Sequence, residues 1–98
     1  MYKPLHSSLT IRESSIDGLG VFALCDIPPK TNLGITHYDT VEHGRARSPL
    51  GGFINHSDNP NCVILVDPKI PHTSSSLITV RPINADEELT VYYTMYKV

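Results

Sequence analysis

Short apolar runs separated by clusters of turn-forming residues constrain this chain more than any other feature of its sequence. The runs are rich in Val, Ile, Leu and Thr, and no window of a dozen residues shows the apolar spacing of an amphipathic helix. Between them, Pro, Gly, Asp, Asn and Ser stand where tight turns need them. The pattern predicts a mainly β domain with six strands, at Ser8–Glu13, Gly20–Cys25, Asn32–Tyr38, Cys62–Val66, Leu77–Arg81 and Leu89–Tyr93.

The length and charge of the chain exclude some classes of function. A chain of 98 residues, 40% of them hydrophobic, is enough for one folded domain over residues 1–98. Its formal net charge of -2 provides no broad positive field, so we expect no direct nucleic-acid partner. No apolar run approaches the roughly 20 residues that span a bilayer, and "MYKPLHSS" lacks the apolar region of a signal peptide. We expect a soluble, intracellular protein with no membrane partner.

The two cysteines, Cys25 and Cys62, both lie in apolar runs. They are too few for a structural zinc site, which takes four Cys or His ligands at short spacings, so we predict no metal. A disulfide and a reactive thiol remain open, but two buried free thiols are the preferred interpretation.

Two polar segments are predicted to be loops. The segment "DTVEHGRARSPL", residues 39–50, contains Arg45 and Arg47, which could contact an acidic substrate or a cofactor carboxylate but would more commonly be solvated. The segment "VILVDPKIPHTSSSLITV" predicts two apolar strands joined by a long polar hairpin.

Three further segments could contribute chemistry. "DGLGVFA" places Gly18 and Gly20 before a strand, where glycine allows backbone to approach a ligand, although in isolation a structural turn is the favoured interpretation. "FINHSDNPN" holds Asn55 and His56 beside an apolar interior; a turn is again the simpler alternative, and His56 is a possible base with no recognisable nucleophile. "NADEELTVYY" is expected to place Glu87 and Glu88 in a solvated turn before the last strand.

In this order and spacing the three segments resemble the SET domain, the fold of a large family of protein lysine methyltransferases. "DGLGVFA" is similar to its glycine-x-glycine motif, "FINHSDNPN" to its Phe-x-Asn-His-Ser-x-x-Pro-Asn motif, and "DEELTVYY" to its Glu-Glu-Leu-Thr-x-x-Tyr motif. The resemblance runs from about residue 9 to residue 93. It implies a β-clip-like fold of small twisted sheets with a C-terminal pseudoknot.

The resemblance also implies a site. S-adenosylmethionine would be the cofactor, and its contacts would be Gly18, Leu19, Gly20, Asn55, His56 and Tyr96. Tyr93 falls on the family's catalytic tyrosine. The substrate channel for a protein lysine would include Tyr38, Val91 and Tyr92, with Tyr38 substituting for a channel tyrosine whose aligned place is taken by Thr36. At Val91 many members have Phe or Tyr, and the smaller valine is expected to permit di- or trimethylation.

Three departures from the family pattern bear on function. The segment 39–50 is a very short insert, so one wall of the peptide groove is expected to be incomplete. Miniature viral SET proteins, which this chain resembles in size, act as homodimers, so a homodimer is a possible partner state and the compartment could be a host cell. Asp58 stands where many members have a zinc-binding cysteine, and no cysteine-rich tail follows. A catalytically silent SET-like binding or regulatory module, or a structural β-clip domain, therefore remains an alternative to an enzyme.

Overall fold

A computed structural model describes residues 5–40, 44–66 and 75–92 of the chain. Within these ranges the secondary structure is mainly strand, as predicted, with one short helix. The strands are β1 (Leu9–Glu13), β2 (Leu19–Ala23), β3 (Asn32–Thr40), β4 (Gly44–Arg47), β5 (Asn55–His56), β6 (Cys62–Val66), β7 (Ser75–Thr79) and β8 (Glu88–Val91), and the helix is α1 (Pro49–Phe53).

The first sheet has the strand order β1-β2-β8-β5. Strands β1 and β2 form an antiparallel hairpin in which Ile11 lies opposite Val21. Strand β8 pairs antiparallel with β2 on one side and parallel with β5 on the other. The last described strand is therefore held between two segments that are far from it in sequence.

The second sheet has the order β4-β3-β7-β6 and is antiparallel throughout. Strands β6 and β7 pair in continuous register from Cys62 opposite Thr79 to Val66 opposite Ser75, which confirms the hairpin predicted from the sequence. Its connecting residues, 67–74, lie outside the described ranges.

The hydrophobic core lies between the sheets and takes side chains from both. Helix α1 closes it from the side, with Leu50 and Gly51 buried. Ser48 caps this helix by accepting a hydrogen bond from Gly51 N, and its own backbone N–H donates to Thr36 O. The fully or almost fully buried apolar residues are Leu9, Val21, Ala23, Ile27, Leu33, Leu50, Ile54, Cys62, Leu77, Ile83, Leu89 and Val91.

The described residues of the segment 39–50 form more regular secondary structure than predicted. The sequence indicated a loop, but β3 continues to Thr40, β4 occupies Gly44–Arg47 and α1 begins at Pro49. An edge strand is specified by backbone pairing with its neighbour, and a helix of five residues is too short to show an apolar stripe. The pair Ser48-Pro49, a favoured start for a helix, was the local signal for α1.

Strand ends also differ from the prediction. Strand β7 ends at Thr79, and the backbone N–H of Val80 instead donates to Asn61 O at 3.0 Å. Strand β8 ends at Val91, so Tyr92 follows the strand and does not alternate within it.

The expectation of two buried free thiols was right for Cys62 and wrong for Cys25. Both thiols are free, and Cys62 is buried, but Cys25 is exposed because β2 ends at Ala23 and the chain turns outward after it. Desolvation by burial raises the pKa of Cys62 to about 12, with Arg81 opposing the shift and Glu87 adding to it. As for membranes, the described segments contain no helix that is both long and apolar enough to cross a bilayer.

Candidate functional site

The position of β8 brings the three sequence motifs together. Strand β2 contains the second glycine of "DGLGVFA", β5 is the Asn55-His56 pair of "FINHSDNPN", and β8 is formed by the residues ELTV of the third motif. Because β8 pairs with both β2 and β5, the motifs lie side by side in one sheet. The candidate site is therefore built around β8.

The turn over residues 14–20, here called the glycine loop, is closed by hydrogen bonds between its own residues. The backbone N–H of Ser14 donates to Gly18 O at 2.8 Å, and the hydroxyl of Ser14 accepts from the backbone N–H of Ile16 at 2.9 Å. Gly18 has a φ of +47°, a left-handed conformation that favours glycine, and a Cβ there would meet nothing within 4 Å. Open space therefore lies next to Gly18.

Asn55 joins the loop to β8. Its Nδ2 donates to Asp17 O at 3.1 Å, to Leu19 O at 3.2 Å and to an oxygen of the Glu88 carboxylate at 2.9 Å. These three acceptors fix the orientation of the amide, because a flipped amide would turn its oxygen toward three other oxygens. Its Oδ1 accepts no hydrogen bond from any described residue.

Glu88 is not in a solvated turn, contrary to the expectation from the sequence. It lies in β8, partly buried, and its carboxylate accepts from the hydroxyl of Ser14 at 2.8 and 2.9 Å as well as from Asn55. The carboxylate occupies the space that a side chain at position 20 would need. Gly20 therefore lacks a side chain for an internal reason, the packing of Glu88.

Glu87 is likewise held and not merely solvated. Its carboxylate accepts from Asn61 Nδ2 and Arg81 at 3.1 Å each, and from the backbone N–H of Asn84 at 2.9 Å. Desolvation by burial acts to raise the pKa of Glu87, but the hydrogen bonds from Asn84, Asn61 and Arg81 outweigh it and hold the pKa below its usual value.

Asn61, for which sequence reasoning proposed no separate role, binds the backbone of β8. It is 2% exposed. Its Oδ1 accepts from Thr90 N at 2.9 Å and its Nδ2 donates to Glu88 O at 2.8 Å. One side chain thus satisfies two backbone groups of β8, which explains its place at the end of the second motif.

His56 and Tyr92 form the exposed rim of the site. His56 Nε2 lies 3.1 Å from an oxygen of Asp58, and the rings of His56 and Tyr92 have centroids 4.9 Å apart. Tyr92 is 59% exposed. The backbone of His56 pairs with Val91, and the role of its side chain stays a prediction.

The structure places some of the remaining predicted residues and not others. Val91 is 1% exposed and belongs to the hydrophobic core. Tyr38 lies in β3 opposite Ala46, with its side chain outside the described part of the structure. Tyr93 and Tyr96 lie outside the described ranges. The roles given to these four residues stay predictions.

A comparison of the sequence with models of known protein families shows the family of this chain. The SET domain family model matches residues 35–94, well over half of the chain. The chain belongs to the SET-domain family. The matched span contains the second and third motifs, whereas the glycine loop lies before it. Members of this family are typically S-adenosylmethionine-dependent protein lysine methyltransferases, and the architecture of small sheets described above is that of the family.

A solved structure has the same fold over nearly the whole chain. The protein is a candidate histone methyltransferase from Plasmodium falciparum, to which this chain is similar with a TM-score of 0.72 and 22% identity. The similarity covers 89% of this chain and 93% of that one, so it extends beyond the span of the family match. A search of the curated proteins finds no match.

Several described groups could contact the cofactor of the family. At the glycine loop they include three kinds of acceptor: the Oδ1 of Asn55, to which no described residue donates, backbone carbonyls with a second lone pair, and the Glu88 carboxylate. Such a set suits a ligand with a positively charged donor, and S-adenosylmethionine has an ammonium group. The open space beside Gly18 leaves room for a ligand to approach the backbone.

Proposed function

We propose that the protein is a lysine methyltransferase that transfers a methyl group from S-adenosylmethionine to the side-chain amine of a lysine in a protein substrate. One observation supports this most: the three motifs meet around β8, where the Asn55 amide is oriented by the glycine loop and Glu88, with its Oδ1 left open. Membership of the SET-domain family supports the same reaction class.

Each residue has a proposed contribution to binding. The backbone of Gly18, Leu19 and Gly20, with Asn55 Oδ1, would hold the ammonium end of the cofactor. His56 would contribute its backbone and ring packing, and Tyr96 would cover the bound cofactor. The cofactor, when bound, supplies an electrophilic methyl group on a sulfonium.

Transfer requires a neutral lysine amine, whereas an ordinary lysine has a pKa of about 10.4. A desolvated channel disfavours the ammonium form, so the proton is lost to water before transfer. The hydroxyl of Tyr93 would then orient the amine lone pair, a contribution from positioning more than from acid–base chemistry.

The Tyr93→Phe variant tests this mechanism. Because phenylalanine keeps the ring and removes only the hydroxyl, cofactor affinity should stay within about twofold while the methylation rate falls at least about 100-fold. Calorimetry with S-adenosylmethionine and incorporation of labelled methyl groups measure the two quantities. Normal turnover by Tyr93→Phe would remove this hydroxyl from the mechanism.

The substrate channel would include Tyr38, Val91 and Tyr92, and valine at position 91 leaves more space than the Phe or Tyr common in the family. We therefore expect di- or trimethyl lysine among the products. The substrate is proposed only as a protein with an accessible lysine, and the homodimer, which would complete the groove wall left short by the insert 39–50, stays a prediction.

A catalytically silent SET-like module is the second candidate, because the insert between β3 and α1 is short. It differs from the enzyme in one measurable way. A silent module would fail to bind S-adenosylmethionine, or would bind it without methylating any protein of a host lysate.

A further inference from the structure

Ser14 closes the glycine loop through its backbone bond to Gly18, and the family motifs assign no function to it. Its hydroxyl accepts from the backbone N–H of Ile16 and donates to the carboxylate of Glu88, with its Oγ 2.8 and 2.9 Å from the two carboxylate oxygens. Ser14 and Glu88 are 74 positions apart in the sequence. The contact therefore joins the turn before β2 to the start of β8.

Glu88 depends on neutral donors. Its carboxylate is bonded by Ser14 and Asn55, and among the described residues it has no salt-bridge partner. A partly buried carboxylate needs donors to hold it in one position. Without the hydroxyl of Ser14, the amide of Asn55 would be its only described side-chain donor.

We propose that Ser14 is a positioning residue for cofactor binding, which acts by holding Glu88 so that Glu88 in turn orients the Asn55 amide with Oδ1 open toward the ligand. The inference rests on the proposed function, since the ligand is S-adenosylmethionine. Loss of the Ser14 hydroxyl releases Glu88 to rotate toward water, and the Asn55 amide then loses one of the three acceptors that fix its orientation.

The expected size of the effect follows from the contacts. The hydrogen bond from Ser14 is to a charged group, a class of bond whose loss corresponds to about tenfold or more in an equilibrium constant. Ser14→Ala should therefore raise the Kd of S-adenosylmethionine about tenfold. Ser15→Ala is the matched control, because Ser15 is exposed and makes no side-chain hydrogen bond with the described residues, and its Kd should equal that of the wild type.

A double-mutant cycle separates positioning through Glu88 from a local effect on the turn. The Ser14 hydroxyl also accepts from the backbone N–H groups of Ile16 at 2.9 Å and Asp17 at 3.4 Å, and neither of these bonds involves Glu88. If Ser14 acts through Glu88, Ser14→Ala should change the Kd less than about twofold in a Glu88→Ala background. If Ser14 only shapes the turn, the same tenfold loss should appear in both backgrounds, which would overturn the inference.

The test is calorimetric titration of S-adenosylmethionine into the wild type, Ser14→Ala, Ser15→Ala, Glu88→Ala and the double variant, each first shown to be folded by thermal unfolding. No binding to the wild type would overturn the proposed function and the inference with it. Tight binding to both the wild type and Ser14→Ala would overturn the inference alone. If Glu88→Ala does not fold, NMR of the ligand-free protein decides: hydrogen exchange of the Asn55 side-chain amide should accelerate in Ser14→Ala and not in Ser15→Ala, and unchanged exchange would overturn the inference.

Discussion

At the scale of single residues, the glycines illustrate how one residue type serves different ends. Gly18 adopts a left-handed backbone conformation in open space, whereas Gly20 lacks room for a side chain because the Glu88 carboxylate fills it. The motif "DGLG" thus combines a glycine in a left-handed conformation beside open space with a glycine required by internal packing. Sequence alone treats the two alike, because the neighbour that excludes a side chain at position 20 is far away along the chain.

The Gly20→Ala substitution should therefore be costly. A Cβ at position 20 would displace the Glu88 carboxylate and come within 3.1 Å of Asn55 Nδ2, so we expect a loss of about 1–3 kcal/mol in the free energy of unfolding and weaker cofactor binding. Gly52→Ala is the control: a Cβ there meets nothing within 4 Å in helix α1, and alanine should be neutral or stabilising by up to about 1 kcal/mol. Urea denaturation measures both. Equal stabilities for the two variants would contradict the packing role given to Glu88.

The two thiols should differ sharply in reactivity. Because the thiolate is the reactive form, a pKa raised by burial to about 12 keeps Cys62 inert at pH 8, whereas Cys25 is exposed. A thiol reagent such as dithionitrobenzoate should modify one thiol per folded chain and two in denaturant. Cys25→Ser should abolish the reaction of the folded protein, and persistence of that reaction would show that Cys62 is accessible.

At the scale of elements, β8 depends on a side chain as well as on the two strands that pair with it. It pairs with β2 and β5 in the sheet, and the Asn61 side chain bonds its backbone at Glu88 O and Thr90 N. The Asn61 side chain thus bonds two backbone groups of β8 that a neighbouring strand would otherwise bond. The alignment of β8, and with it the candidate site, depends on that buried amide.

Asn61→Ala should leave two backbone groups of β8 without their partner in a region closed to water. We expect a loss of about 2–4 kcal/mol in the free energy of unfolding, measured by urea denaturation. Asn59→Ala is a matched control from the same loop, because Asn59 is exposed and only its backbone N–H bonds, to Ser57. Its stability should stay within about 0.5 kcal/mol of the wild type. Equal effects of the two substitutions would exclude this role of Asn61.

At the scale of the whole molecule, sequence patterns predicted the features that depend on residues close together in the chain. Runs of strand-forming residues and turn residues located the strands β1, β2 and β6 and predicted the β6–β7 hairpin, whose strands are close in sequence. The order of the motifs predicted the family. The parallel pairing of β5 with β8, and the Ser14 and Asn55 bonds to Glu88, join distant segments and leave no periodic signal. Two adjacent acids are usually solvated. The expectation failed at Glu88 because its donors, Ser14 and Asn55, are distant in sequence, and at Glu87 because Asn61 and Arg81 donate to its carboxylate.

Methyl transfer to lysine is the activity proposed for this protein. The most direct measurement is incubation of the protein with S-adenosylmethionine labelled in its methyl group and a host-cell lysate, followed by mass spectrometry of the labelled proteins, with Tyr93→Phe as the control. We predict label on lysine side-chain nitrogen, as di- or trimethyl lysine, that is nearly absent with Tyr93→Phe. If the protein binds the cofactor but leaves every lysine unlabelled, the proposed activity is contradicted. If Tyr93→Phe labels lysine equally well, the proposed role of the Tyr93 hydroxyl is contradicted.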